Sequence, residues 1–138
     1  MYLLDTNAVS ELRRPARANA GLVTWASKAM PADLFISAIT LFEIERGAGL
    51  VARKDPVHGT ALRSWIDGHV LVVFQGRILP VDADVAQRCA TLHVPTPRPE
   101  RDSMIAATAL VHRLTVVTRN TKDFEPMGVP LLNPWISE

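Results

Sequence analysis

YLLDTNAVSE (Tyr2–Glu11) sets a run of apolar residues against a carboxylate. Tyr2–Leu4 has the character of a short strand bound for a core, yet the run halts on Asp5, followed at once by Thr6 and Asn7. Asp is a poor strand residue and is costly to bury alone. Either Asp5 caps a helix and does nothing more, or the fold holds a negative charge where something positive will sit.

Outward from that stretch, short apolar runs alternate with helix-like segments. A brief helix is expected after Asn7, a good N-cap residue, and another over Asn19–Met30, ending before Pro31. Leu34–Ile36 reads as a second strand and Ser37–Val51 as a helix begun by a Ser cap; Gly47-Ala48-Gly49 reads as its end. After a break at Lys54-Asp55-Pro56, Thr60–Gly68 is helical, whereas Val70–Phe74 fits either a strand or a buried helix. Ile78–Val81 is a third strand, and Asp82 caps a helix with Val85, Cys89 and Leu92 on one face. The Pro-rich Val94–Glu100 is a loop, Asp102–Arg113 a helix, Thr115–Val117 a fourth strand and Pro130–Leu132 a short fifth. Strands separated by helices imply an α/β fold: one domain over residues 1–138, with a central parallel sheet of four to five strands flanked by helices on both faces. In such sheets ligands bind at the carboxyl ends of the strands, near a switch in strand order. Asp5 ends one strand, and Thr118-Arg119-Asn120 ends another.

Composition narrows the function classes. A formal net charge of +1 over 138 residues exerts no whole-molecule pull on nucleic acid or membrane, so any polyanion site must be local. The single Cys89 excludes an internal disulfide framework and points to a reducing, cytoplasmic setting. No apolar run approaches the roughly 20 residues of a membrane span. The four histidines are scattered without cysteine partners, which argues against structural zinc.

Three further acids lie where they can meet Asp5. Asp102 opens a helix after the Pro-rich loop, and Asp102, Ala106, Ala109 and Arg113 share a stripe whose alanines permit close approach to the sheet. A plain first-turn Asp is the alternative. Glu43 lies off the face formed by Leu41, Ile44, Ala48 and Val51, and either pairs with Arg46 three residues on or faces a site. Asp123 follows Thr118 and Asn120 within a turn, and Asn120 is also placed to cap the next helix. Ile39, Phe42 and Leu50 form a side too apolar to be wholly solvated. The Thr60–Gly68 helix, a partner's apolar helix or homodimer contact would cover it. Arg13, Arg14 and Arg17 suit either RNA phosphates or a solvated basic turn.

Taken in order, LLDTN, AITLFEIERGA, RDSMIAATAL and VVTRNTKDF resemble the PIN domain of VapC-type toxins from bacterial toxin–antitoxin pairs. FQGRILPVDADVA (Phe74–Ala86) and the closing NPW (Asn133–Trp135) resemble its FitB-like branch. The resemblance implies a metal-dependent endoribonuclease, using Mg2+ with Mn2+ as substitute, in which water attacks in line and leaves a 5′-phosphate and a 3′-hydroxyl. It carries the family's acids to Asp5, Glu43 and Asp102. At Asn120, where close relatives often have Asp, the chain departs from the pattern, and Asp123 supplies the fourth carboxylate. Asp5 and Asp102 are then the direct metal ligands, with Thr6, Asn7, Thr118 and Asn120 orienting carboxylates or substrate. A co-encoded VapB-like antitoxin is implied, covering the site and carrying any contact with operator DNA. A catalytically weak binding module acting with that antitoxin is the alternative, and Asn120 keeps it open. A phosphotransfer site fits less well, because Asn7 stands where a second Asp is needed.

Overall fold

A computed structural model describes residues 1–136; the last two positions of the expected 1–138 domain lie outside the described residues. Five strands, β1 (Tyr2–Leu4), β2 (Leu34–Ser37), β3 (Ile78–Leu79), β4 (Thr115–Val117) and β5 (Leu131–Leu132), form a parallel sheet in the order β3-β2-β1-β4-β5. The chain winds outward from β1 to β3, then returns to pair β4 with β1, in register Leu4 to Val117. That return makes the β1–β4 boundary the switch in strand order.

Alternation along the strands explains their unbroken apolar character. Leu4, Ile36 and Val117 face one core with helices α1 (Thr6–Glu11), α2 (Ala20–Lys28), α3 (Ala38–Lys54) and α4 (Pro56–Trp65). Leu3, Phe35 and Val116 face the other, against α7 (Glu100–His112) and α8 (Thr121–Phe124). Both faces are covered, so the strands are apolar apart from Thr115 and Ser37 at their ends, and Ser37 caps the following helix. Helix α6 (Ala83–Leu92) packs on α7 through Val85, Cys89 and Ala107, which makes Cys89 a core residue. No helix among the described residues is long and apolar enough to cross a membrane.

Several boundaries differ from the expectations. The first helix is capped by Asp5, whose side chain accepts from the Thr6 amide, and Asn7 lies inside it. Gly47 and Gly49 do not end α3, which continues to Lys54. Val70–Phe74 is helical: after α4 the chain widens into a π-turn over Ile66–Val70 and closes with α5 (Leu71–Val73). Val70 and Phe74, four apart, are buried while Val72 is exposed, a helical rather than an alternating pattern. The third strand stops at Leu79, two residues short of the expected end at Val81. Helices α3 and α4 cross closely at Gly59, where a Cβ would stand 2.5 Å from the Ala52 Cα.

Candidate active site

Asp5 follows β1 and is 6% exposed. Its Oδ1 accepts from the Thr6 amide at 2.8 Å, and its Oδ2 accepts from the Thr118 hydroxyl at 2.8 Å and from Asn7 Nδ2 at 3.3 Å. Thr118, just past β4, is fully buried. Having donated its one hydrogen to Asp5, its oxygen accepts from Asn7 Nδ2 at 3.2 Å and from the Asn120 amide at 3.0 Å. The two strand ends at the switch point are thus joined through their own polar residues. Asp5 is both a helix cap and a positioned charge.

Glu43 approaches from α3. Its Oε1 accepts from the Thr6 hydroxyl at 2.8 Å, and its Oε2 lies 3.5 Å from Arg101 Nη1. The expected pairing with Arg46 does not form; that guanidinium lies over the Phe42 ring instead. Asp102 comes from the first turn of α7, brought close because Ala106 and Ala109 are completely buried against the sheet. Asp123 sits on α8, exposed and one turn past Asn120. Asn120 makes no side-chain cap, so its carboxamide is not engaged in the role that competed with a site.

The acids feel one another. Burial, and then the charges of Asp5, Asp123 and Glu43, push the Asp102 carboxyl up to about 6, with Arg101 opposing. Asp5 is also held above the ordinary carboxylate range, first by burial and further by Glu43 and Asp123, against the hydrogen bonds from Thr118 and Thr6. At an effective dielectric of 20, two carboxylates 4 Å apart repel by about 4 kcal/mol. A site that gathers such groups is poised for a cation.

The donor set is all carboxylate and amide or hydroxyl oxygen, the preference of Mg2+ and Mn2+ rather than of softer ions. No three acidic, His or Cys side chains among the described residues close around a single point. What supports a cation here is the chemistry of the donors, Asp5 and Asp102 with Glu43 and Asp123 near enough to raise their carboxyls, and a hydrated Mg2+ needs only one or two of them. The space in front is open: Glu43, Pro99, Glu100, Arg101 and Asp102 line a basin of about 490 Å³.

A model of the PIN domain family matches residues 2–128. This chain belongs to the PIN domain family. It is 35% identical over 140 residues to the VapC ribonuclease Y4jK of Sinorhizobium fredii, covering 98% of each chain. It is 38% identical over 140 residues to Toxin FitB of Neisseria gonorrhoeae, covering 98% of this chain and 99% of the other. A solved structure of FitAB bound to a DNA fragment superposes with a TM-score of 0.89 at 36% identity, over 100% of this chain and 98% of that one. The PIN domain here thus has VapC- and FitB-type relatives along its full length.

Of the residues expected at the site, Asp5, Thr6, Asn7, Glu43, Thr118 and the Asn120 backbone form one continuous hydrogen-bonded set, and Asp102 and Asp123 join it electrostatically. The sequence reading missed Arg101 and Thr40, whose hydroxyl lies 3.4 Å from that of Thr6. Arg101 had a visible signal: a cation in the first turn of a helix opposes the helix dipole and calls for a nearby acid.

Proposed function

We propose that this PIN domain, taken as a single domain over residues 1–138, is a Mg2+-dependent endoribonuclease toxin that hydrolyses RNA phosphodiester bonds, with Mn2+ able to substitute. The observation that carries this reading is the convergence at the switch point of the sheet of Asp5, held through both oxygens by Thr6, Asn7 and Thr118, with Glu43, held by Thr6, and with Asp102 close enough to feel both charges. Its relatives named VapC ribonuclease and Toxin FitB support the reaction class.

Asp5 and Asp102 would hold the ion. Bound there, it supplies positive charge to the scissile phosphate and makes a water more acidic. Thr118, Asn7 and the Thr6 amide fix both Asp5 oxygens, so that carboxylate needs no reorganisation. Glu43, oriented by Thr6 and Arg101, accepts the proton of the attacking water. Water attacks phosphorus in line, the bond to the 3′-oxygen breaks with its electron pair on that oxygen, which takes a proton from solvent in the open basin, and the products are a 5′-phosphate and a 3′-hydroxyl. Asp123 adds a fourth charge, and Asn120 offers an uncharged carbonyl beside it.

A VapB-like antitoxin restrains this activity, and operator DNA is reached through it. The FitAB assembly on a DNA fragment supports that arrangement. The test is cleavage of end-labelled structured RNA by antitoxin-free protein in Mg2+ or EDTA, beside Asp5→Asn prepared identically. Cleavage that requires the ion and is lost in the variant is expected; equal cleavage by both proteins, or none by a folded and metal-loaded native chain, contradicts the reading.

A further inference from the structure

Arg101 stands in the first turn of α7, one residue before Asp102. Among the described residues it is the one lysine or arginine that forms an ion pair with an acid of the site. Its hold on that acid is slight. Nη1 lies 3.5 Å from Glu43 Oε2, the side chain is 45% exposed, and no N–H of the guanidinium donates a hydrogen bond to a described residue. The guanidinium groups that tie this fold together look different. Arg63 donates four hydrogen bonds to Glu45 and Asp67, and Arg77 donates to the carbonyls of Pro31, Leu34 and Val73. Other exposed arginines also lack hydrogen bonds, Arg53 for example, but they form no ion pair with the acids of the site. Arg101 alone combines free donors with a place beside Glu43.

Substrate charge supplies the reason for it. A phosphodiester is an anion, and it must come up to Asp5, Glu43, Asp102 and Asp123. One divalent ion cancels two of those charges, so cluster and substrate still repel. Sites of phosphoryl transfer answer this with a guanidinium, whose planar N–H pair matches two phosphate oxygens. The attacking water rests on Glu43, so the phosphate lies one water away from that carboxylate. Arg101 already touches Glu43, and both open with Asp102 onto the same basin.

We propose that Arg101 turns from Glu43 to the scissile phosphate and pairs with its nonbridging oxygens, which makes it a catalytic residue of this site. This rests on the ribonuclease reading and adds the cation that receives the substrate. Thr6 keeps Glu43 in position when Arg101 leaves, so the base survives the loss of its partner.

The test separates contact with phosphate from support of Glu43 by removing Glu43. In a Glu43→Gln background cleavage is off, and an arginine that only orients that carboxylate has nothing left to do. Binding of a 5′-labelled single-stranded RNA is followed by fluorescence anisotropy in Mg2+ over a range of salt. A random sequence suffices, because a phosphate contact carries no sequence information. In this background Arg101→Gln should weaken binding about tenfold. It should also lower the slope of log affinity against log salt by about 0.7, the value of one phosphate on a single strand. Arg101→Lys keeps the charge and should keep the slope. Arg53→Gln, about 15 Å along α3 from Glu43, should change neither quantity. Unaltered affinity and slope in Arg101→Gln, with the parent still binding RNA, overturns the proposal and leaves the ribonuclease reading standing. Equal loss of slope in Arg53→Gln or Arg101→Lys points away from a contact by this charge and overturns it as well. Failure of the Glu43→Gln parent to bind RNA at low salt overturns both readings.

Discussion

The Thr6 hydroxyl donates to Glu43 Oε1 at 2.8 Å, joining residues 37 positions apart. It is the link between the strand end that carries Asp5 and the helix that carries the proposed base. Thr6→Val keeps the shape of the side chain and removes the donor. Glu43 is then held by Arg101 alone, at 3.5 Å. The loss should be about 1–2 kcal/mol in stability and at least tenfold in kcat, with KM nearly unchanged; denaturant melts and initial rates check both.

The raised Asp102 carboxyl predicts how the metal-free protein responds to pH. Between the ordinary 3.8 and about 6, the folded chain binds more protons than the unfolded one. Stability therefore falls as pH rises through that window and levels off above it, and Asp5 acts in the same direction. Because Asp102 is partly exposed, screening limits its share to about 1 kcal/mol. Mg2+ at neutral pH should restore the lost stability, read as a rise in melting temperature. Asp102→Asn should flatten the profile and abolish most of that rise; an equal rise in the variant would place the ion elsewhere.

The reach of the sequence reading followed the range of the forces involved. Asp5 was legible because a charge interrupts an apolar strand, and Asp102 because Ala106 and Ala109 clear its path. The pairing of Glu43 was not: local spacing offered Arg46, but the partners are Thr6 and Arg101, on elements that only tertiary packing brings near. Asp5, Thr6 and Asn7 are all good caps, so composition alone did not choose among them. Gly47 and Gly49 resembled a helix end since propensity sees their cost and not the packing of Ile44 and Ala48 that carries α3 on to Lys54. In Val70–Phe74, every residue is apolar and the period is invisible until burial separates Val70 and Phe74 from Val72.

Ser103 ties the start of α7 to its surroundings. Its hydroxyl donates to the Glu100 carbonyl at 2.8 Å and lies 2.8 Å from His93 Nε2, whose Nδ1 accepts from the Arg98 amide at 3.3 Å. With Nδ1 accepting, Nε2 carries the proton and donates to Ser103. Ser103→Ala leaves that donor without its partner and should cost about 1–3 kcal/mol. The urea midpoint should drop, and cleavage should weaken as Asp102 loses its fixed position.

Ile39 turns into the core, but Phe42 and Leu50 remain 51% and 59% exposed, since α4 covers Ile44 and Ala48 instead. If this side makes a homodimer, sedimentation should give twice the chain mass for the native protein and the chain mass for Leu50→Asp. A native protein sedimenting as one chain at high concentration would remove the homodimer from the account.

The most direct measurement is the titration of the Asp102 side-chain carboxyl carbon by NMR, with and without Mg2+, assigned by comparison with Asp102→Asn. The account predicts a midpoint near 6 in the absence of the ion and a fall of at least about one unit when Mg2+ is added. A midpoint near the ordinary 3.8, unmoved by Mg2+, would contradict the claim that the sheet gathers these acids to hold a metal.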